Sequence, residues 1–135
     1  MSDFDAINPI GWKAPAGYSH GISTRTGRMV VTAGQVGWNP ATCEFESDDF
    51  AAQVAQALRN VAGVLKAAAA TPAHLVRLTW FITDRDGYVA ARKEIGEAYR
   101  EIMGRHYPAM SVVVVSALLE PRAKVEIEAT AVVPG

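Results

Sequence analysis

Four valines stand in a row at residues 112–115, near the C-terminal end of a chain of 135 residues. Such a short run of β-branched residues is typical of a strand rather than a helix. Because successive side chains of a strand point to opposite faces of its sheet, this strand presents apolar groups on both faces. A sheet covered by helices on only one face has alternating strands instead. The run therefore predicts a second cover.

Two sources could supply that cover. Loops of the same chain could bury the strand within the monomer, or another copy of the chain could pack against it. Since the remaining sequence predicts only two helices, self-association is the more economical interpretation. An interface of this kind is also a natural place for a ligand pocket.

Two segments have the apolar period of a helix. The first runs from an N-cap at Ser47 to a stop at residues 71–72, with apolar residues every three or four positions. The second runs from Asp84 or Asp86 to Gly104 and is predicted as one helix. Both have a polar opposite face, so both are expected to cover a sheet.

The segments between and around the helices predict strands. Thr26-Gly27 marks the turn of a predicted β-hairpin, since β-branched residues alternate with polar ones on both sides of it. Three further strands are predicted at residues 75–83, 111–118 and 124–133. The predicted order is ββαβαββ, an α+β fold with a mixed sheet and two helices on one face.

Composition and charge exclude several kinds of partner. The formal net charge is −1 and the charges are scattered, so neither a nucleic acid nor a membrane surface is an expected partner. No segment approaches the roughly 18 consecutive apolar residues that a membrane-spanning helix needs. The N-terminus has no signal-peptide pattern, and a cytoplasmic location is expected.

Motifs for metal binding and nucleophilic catalysis are not found in the sequence. His20, His74 and His106 are far apart and lack a ligand-like spacing with the single cysteine, Cys43. We therefore predict no metal site and no cofactor. Cys43 is more simply an incidental thiol than a nucleophile, and a chain with one cysteine can form no intrachain disulfide.

Several segments together resemble a known family. They are "GRMVVTAGQVGWNP", "FAAQVAQALRNVAGVLKAA", "HLVRLTWFITD" and "PAMSVVVVSALLEPRAKVEIEATAV", and they resemble the RidA (reactive intermediate deaminase A) family of enamine and imine deaminases from about Tyr18 to Val133. The resemblance implies one RidA-like domain over residues 1–135 with a chorismate-mutase-like fold. It also implies a homotrimer that binds small molecules in the clefts between subunits.

The chain departs from this family at one important position. The family motif is Pro-Ala-Arg, whose arginine pairs with the substrate carboxylate, and here Met110 follows Pro108 and Ala109. A thioether has no N–H donor and cannot replace a guanidinium fork. A charge-assisted hydrogen bond is worth about 1.5–3 kcal/mol, so its loss weakens carboxylate recognition by about tenfold to more than a hundredfold.

Two other positions correspond to polar or aromatic residues of the family site. The resemblance implies that Glu126 positions the attacking water, as a carboxylate at a partly desolvated interface could. Alternatively, Glu126 is one of several charged residues on an ordinary solvated strand face. Tyr18 matches an aromatic residue that closes the site, although it could also be a structural wedge in the first strand.

Four more residues complete the candidate substrate-binding set. Ala33 replaces a common serine and Val112 a common cysteine, so that with Met110 the pocket is drier than usual for the family. Gly34 could let a ligand approach the backbone, or could mark a bulge or turn. Arg92 could restore the missing positive charge from the second helix, or could be solvated on the helix surface.

The expected function is that of a diverged RidA-like enamine or imine deaminase acting on a small metabolite in an intersubunit cleft. Because Met110 removes the carboxylate anchor, the usual imino acids are not the expected substrates. The alternative is a non-catalytic trimer that binds a small molecule. Ribonuclease activity ranks third, since the sequence has no basic patch.

Overall fold

A mixed β-sheet forms the centre of the protein in a computed structural model, which describes residues 4–135. The strands are β1 (Phe4–Ile7), β2 (Gly21–Thr24), β3 (Gly27–Val31), β4 (Gln35–Val36), β5 (Leu75–Ile82), β6 (Ala109–Val114) and β7 (Val125–Pro134). The main sheet has the order β3-β7-β5-β6, with β4 also paired to β7; the β5–β6 pair is parallel and the β3–β7, β4–β7 and β5–β7 pairs are antiparallel. β1 and β2 form a separate antiparallel pair.

The helices are α1 (Phe50–Ala67), α2 (Arg85–Ala90) and α3 (Arg92–Met103), with a 3₁₀ turn at Pro72–His74. α1 and α3 contact each other, and the buried core between helices and sheet includes Leu58, Leu65, Leu78 and Ile127. Each such fully buried aliphatic side chain contributes about 1.5–3 kcal/mol. The α+β class and the mixed sheet are thus as predicted. Among the described residues, no helix combines the length and the apolarity needed to cross a membrane.

The predicted hairpin at Thr26-Gly27 is wrong. β2 and β3 follow each other in sequence, but β2 pairs with β1 and β3 pairs with β7. A Cβ on Gly27 would lie 2.5 Å from the Val133 carbonyl oxygen. The glycine that suggested a turn therefore allows a close approach between strands, because the long β7 is a better partner for β3 than the short β2. β1 and the two-residue β4 were not predicted from the sequence.

Both predicted helices differ from expectation at their ends or centre. α1 is capped by Asp49, whose carboxylate accepts from the Ala52 N–H at 3.0 Å, and the predicted cap Ser47 accepts from the Asp49 N–H instead. α1 ends before the predicted stop, since Ala69 adopts a left-handed φ of 58°. The second predicted helix is interrupted at Ala91, which separates α2 from α3.

Buried polar residues of α1 hold the loops on either side of the sheet. Asn60 Nδ2 donates to the carbonyl oxygens of Val36 (3.0 Å) and Trp38 (2.9 Å). Gln53 accepts from the Lys124 N–H and donates to the Arg122 carbonyl oxygen. These bonds satisfy groups that would be costly to leave unpaired, and they fix β4 and the start of β7 against the helix.

The first three valines of the run lie on β6, at the edge of the sheet, and Val115 follows the end of the strand. Val112, Val113 and Val114 remain 39%, 41% and 52% exposed. Loops of the same chain do not bury the run, so the first of the two alternatives above is wrong. Within residues 4–135 nothing supplies the second cover, which leaves self-association as the interpretation carried forward.

Candidate functional site

Three of the predicted site residues line one cavity on the helix side of the sheet. The cavity has a volume of about 600 Å³, and we call it the tyrosine cavity. Its walls include Tyr18, Trp80, Arg92, Tyr99, Tyr107 and Met110. The structure thus brings together Tyr18, from the segment before β2, Arg92, from the first turn of α3, and Met110, from β6.

Met110 faces the helices because of its register. It lies opposite Leu78 of β5, which is fully buried beneath the helices, and its side chain packs half-buried against the core. Arg92 lines the same cavity from helix α3, and its guanidinium carbon lies 5.9 Å from the centre of the Tyr88 ring. This cation–π contact places the arginine beside the cavity, and within residues 4–135 its guanidinium forms no ion pair with a carboxylate.

A pair of stacked tyrosines forms part of the cavity wall. The rings of Tyr99 and Tyr107 are 5.3 Å apart and nearly parallel. The Tyr99 hydroxyl donates to the His106 carbonyl oxygen at 2.7 Å. Burial raises the pKa of the Tyr99 hydroxyl above its usual value, and the neighbouring Tyr107 adds to the shift. Tyr99 is therefore a neutral, fixed part of the wall.

Glu126 lies on the other face of the sheet. Its neighbours Val125 and Ile127 are fully buried towards the helices, so the half-buried Glu126 side chain points away from them. Gly34 is its close neighbour, because a Cβ on Gly34 would lie 2.7 Å from Glu126 Cδ and 2.9 Å from Oε2. Ala33 is exposed beside Gly34. The absence of a side chain at residue 34 thus leaves room for the carboxylate.

The seven predicted site residues therefore form two groups and one outlier. Tyr18, Arg92 and Met110 line the tyrosine cavity, whereas Gly34 and Glu126 lie together on the opposite, helix-free face, with the exposed Ala33 next to Gly34 in the chain. Val112 is exposed on β6 and belongs to neither group.

Sequence reasoning missed most of the tyrosine cavity, including Trp80, Tyr88, Tyr99, Arg100 and Tyr107. A partial signal was present, since Tyr88, Arg92 and Arg100 recur at helical spacing. The tyrosines at 18 and 107 lie far apart in sequence, and only the fold brings them together. Within the described part of the chain, no three histidine, cysteine or acidic side chains converge in a way that could hold a metal ion.

Comparisons with known proteins support one family. The sequence model described as Endoribonuclease L-PSP matches residues 11–133. The chain is 36% identical over 121 residues to a RutC family protein of Haemophilus influenzae, with 89% of this chain and 92% of that protein covered. It is 36% identical over 109 residues to the 2-iminobutanoate/2-iminopropanoate deaminase of Escherichia coli strain K12, with 78% and 80% covered.

A solved structure gives the same result. YyfB of Yersinia pestis, from the conserved Rid protein family, matches with a TM-score of 0.86 at 35% identity, over 98% of this chain and 100% of that chain. This agreement supports the predicted chorismate-mutase-like α+β fold. The chain is therefore a member of the RidA family, as its sequence segments predicted.

Proposed function

We propose that the protein is a diverged RidA-like hydrolase of enamines or imines, with Glu126 handling the attacking water. The carboxylate takes a proton from water as the water oxygen bonds to the C=N carbon. Glu126 then passes that proton to the nitrogen, which gives a carbinolamine. The proton of the new hydroxyl group moves through Glu126 to the nitrogen as the C–N bond breaks, so that ammonia leaves and a carbonyl compound remains. An enamine enters the same sequence after protonation of its carbon. Membership of a family with deaminase-named relatives supports this class of reaction.

The observation that carries the proposal is the close packing of Glu126 against Gly34. A half-buried carboxylate beside bare backbone can hold a water molecule next to a bound substrate, which a solvated surface glutamate cannot do with fixed geometry. This favours the catalytic interpretation of Glu126 over that of an ordinary strand-face residue.

A cleft that uses both groups of residues needs two copies of the chain. Met110 and Glu126 lie on opposite faces of one sheet, so no single copy can direct both at one ligand. Packing of the exposed β6 valines and the helix-free face against a neighbour would bring the Glu126 of one copy towards the tyrosine cavity of another. We therefore propose the homotrimer with intersubunit sites that the family resemblance implies.

Assembly is the first prediction. We expect light scattering at micromolar concentration to give three times the 14.5 kDa mass of the chain. Val113→Glu, on the helix-free face, should dissociate the assembly because a carboxylate would be buried there without a partner. Val64→Glu, on the exposed surface of α1, is the matched control and should leave the mass unchanged. A monomer mass for the unmodified chain would refute the intersubunit site.

A non-catalytic binder is the second candidate, favoured by the inert thioether of Met110. One experiment separates the two functions. Freshly generated 2-aminoacrylate and a set of neutral imines are supplied to the protein, ammonia release is measured against spontaneous hydrolysis, and thermal shifts are recorded in parallel. Ammonia release above the background supports the hydrolase. A thermal shift without turnover supports the binder.

Gly34→Ala should separate activity from stability. The new Cβ would meet the Glu126 side chain, whose carboxylate can move, so the cost in folding free energy should be about 1 kcal/mol, the lower end for overpacking. Hydrolysis should fall by about tenfold or more, because the water would lose its position. Gly63→Ala, in the middle of α1 with open space around it, is the control. It should keep full activity and gain about 0.5–1 kcal/mol of stability. Equal activity in both variants would contradict the role of Gly34.

A further inference from the structure

Every tyrosine of the chain lines the tyrosine cavity. The sequence contains four, at positions 18, 88, 99 and 107, and all of them contribute to the wall together with Trp80. Such a concentration of rings exceeds what a site for a ligand of three or four carbons needs. A volume of about 600 Å³ is in the ordinary range for ligands that contain a ring. Flat aromatic walls favour a flat ligand, which can stack on them or meet them edge to face.

The charge of the cavity has one sign. Arg92 and Arg100 line it, and among residues 4–135 no aspartate or glutamate does. Among residues 4–135 the ion pairs belong to Arg25, Arg85 and Arg122, so neither cavity arginine is neutralised by a carboxylate there. A cation beside an apolar pocket and without an acidic partner is suited to bind an anion, and the planar guanidinium matches a carboxylate.

Gly96 allows the second arginine to lie along α3. Gly96 lies about one helical turn after Arg92 and one turn before Arg100. A Cβ at residue 96 would lie 3.3 Å from Arg100 Nη1. The Arg100 side chain thus covers the helix backbone at the cavity wall. Arg92 and Arg100 thus lie on one stripe of α3, and Tyr99 of the same helix and Met110 of β6 line the same cavity.

The inner part of the cavity is apolar, with one exception. Met110 and Ile95 contribute hydrocarbon and sulfur surface, and Trp80 is only 3% exposed. The Trp80 indole N–H is buried and has no hydrogen-bond acceptor among the described residues. A buried donor without an acceptor is costly, and a ligand oxygen that reached the ring would remove that cost.

We propose that the tyrosine cavity binds a small molecule with a carboxylate at one end and an aromatic ring at the other. Its carboxylate would pair with Arg92, and its ring would lie among the tyrosines and Met110. The carboxylate anchor is thus moved from strand β6 to helix α3, and the thioether that replaces the family arginine becomes a contact surface for the ring. For the chemistry of the ligand, the inference rests on the proposed function: the substrate would be an imine or enamine of an aromatic amino acid, and the product its 2-oxo acid.

Calorimetry tests binding without any reaction. The probes are phenylpyruvate, pyruvate, which lacks the ring, and phenylacetone, which lacks the carboxylate. Phenylpyruvate should bind the unmodified protein about tenfold or more tightly than either of the other two. Arg92→Gln should lower phenylpyruvate affinity by about tenfold, while Arg59→Gln, on the exposed face of α1, should leave it unchanged. Equal binding of all three probes, or equal effects of the two variants, would overturn the proposal.

Turnover separates this inference from the proposed function. Imines of phenylalanine and of alanine are generated in place by an amino-acid oxidase, and hydrolysis of the phenylalanine imine should be the faster by about tenfold. Phenylpyruvate binding without hydrolysis of either imine would sustain the cavity proposal and refute the enzyme. Hydrolysis of the alanine imine alone, with no phenylpyruvate binding, would sustain the enzyme and refute the cavity proposal.

Discussion

Glu126→Gln should lower the rate of imine hydrolysis by about 10²–10⁴-fold, the range expected when a general base is removed. The amide nearly matches the carboxylate in size, so the close packing against Gly34 should survive. An amide cannot take a proton from water, however, and the attacking nucleophile would remain neutral. The initial rate of ammonia release measures the effect, and an unchanged melting temperature confirms that the fold is intact.

Glu128→Gln is the matched control for this change. Glu128 lies two residues further along β7, on the same face of the sheet, and is exposed rather than half-buried. The same loss of charge there should change the rate by less than about twofold. If both variants lost activity equally, the effect would come from the charge of the sheet face and not from a base at residue 126.

Met110→Arg should raise activity towards imines of small amino acids by about tenfold to a hundredfold. A guanidinium at this position restores the fork that the family motif supplies, and a charge-assisted hydrogen bond to a substrate carboxylate is worth about 1.5–3 kcal/mol. Met110 lines an open cavity and is only half-buried, so the longer side chain has room to reach the ligand. kcat/KM for the alanine imine is the quantity to compare with that of the unmodified protein.

Two further variants show whether the fork itself is responsible. Met110→Lys adds the same charge without bidentate geometry and should gain less than the arginine. Glu126→Gln combined with Met110→Arg should remove the gained activity, because the water would again lack its base. An assembled Met110→Arg protein without any gain would show that the site has diverged beyond one substitution.

The unliganded Met110→Arg protein also tests the role of residue 110 in assembly. The variant adds a third cation to a cavity that Arg92 and Arg100 already line, and where the described part of the chain contributes no acidic side chain. If a neighbouring copy covers the cavity, an unpaired charge there costs several kcal/mol and would loosen the assembly. Dissociation measured by light scattering would mean that the Met110 thioether is part of a packed interface.

Local sequence patterns predicted most element types and failed at pairing. The apolar period between Ser47 and residues 71–72 predicted α1, which is shorter at both ends, and the β-branched run at 75–83 predicted β5 to within one residue. The hairpin failed because strand pairing is a competition between all available partners, and β7 is a better partner for β3 than β2 is. The break at Ala91 lies within an apolar stripe, so periodicity could not reveal it.

In the candidate site, too, residue positions could be predicted from local motifs, whereas contacts between distant residues could not. Glu126, Tyr18 and Met110 were identified from motif positions, since each belongs to a short segment that resembles the family. Gly34 was also identified in this way, but its contact with Glu126 depends on β4 pairing beside β7, which no local pattern reveals. That the tyrosines at 18 and 107 line the same cavity could be seen only from the fold.

By itself the sequence determined the family, the α+β class and the loss of the arginine fork at Met110, and it predicted a second cover over the valine run. These properties depend on residue type and on periods of two or 3.6, which are local. Only the tertiary structure decided that Met110 and Glu126 lie on opposite faces of the sheet, and that four tyrosines and two arginines surround one cavity. Such properties depend on register and on contacts between residues distant in sequence, and a one-residue shift in register would have reversed every face.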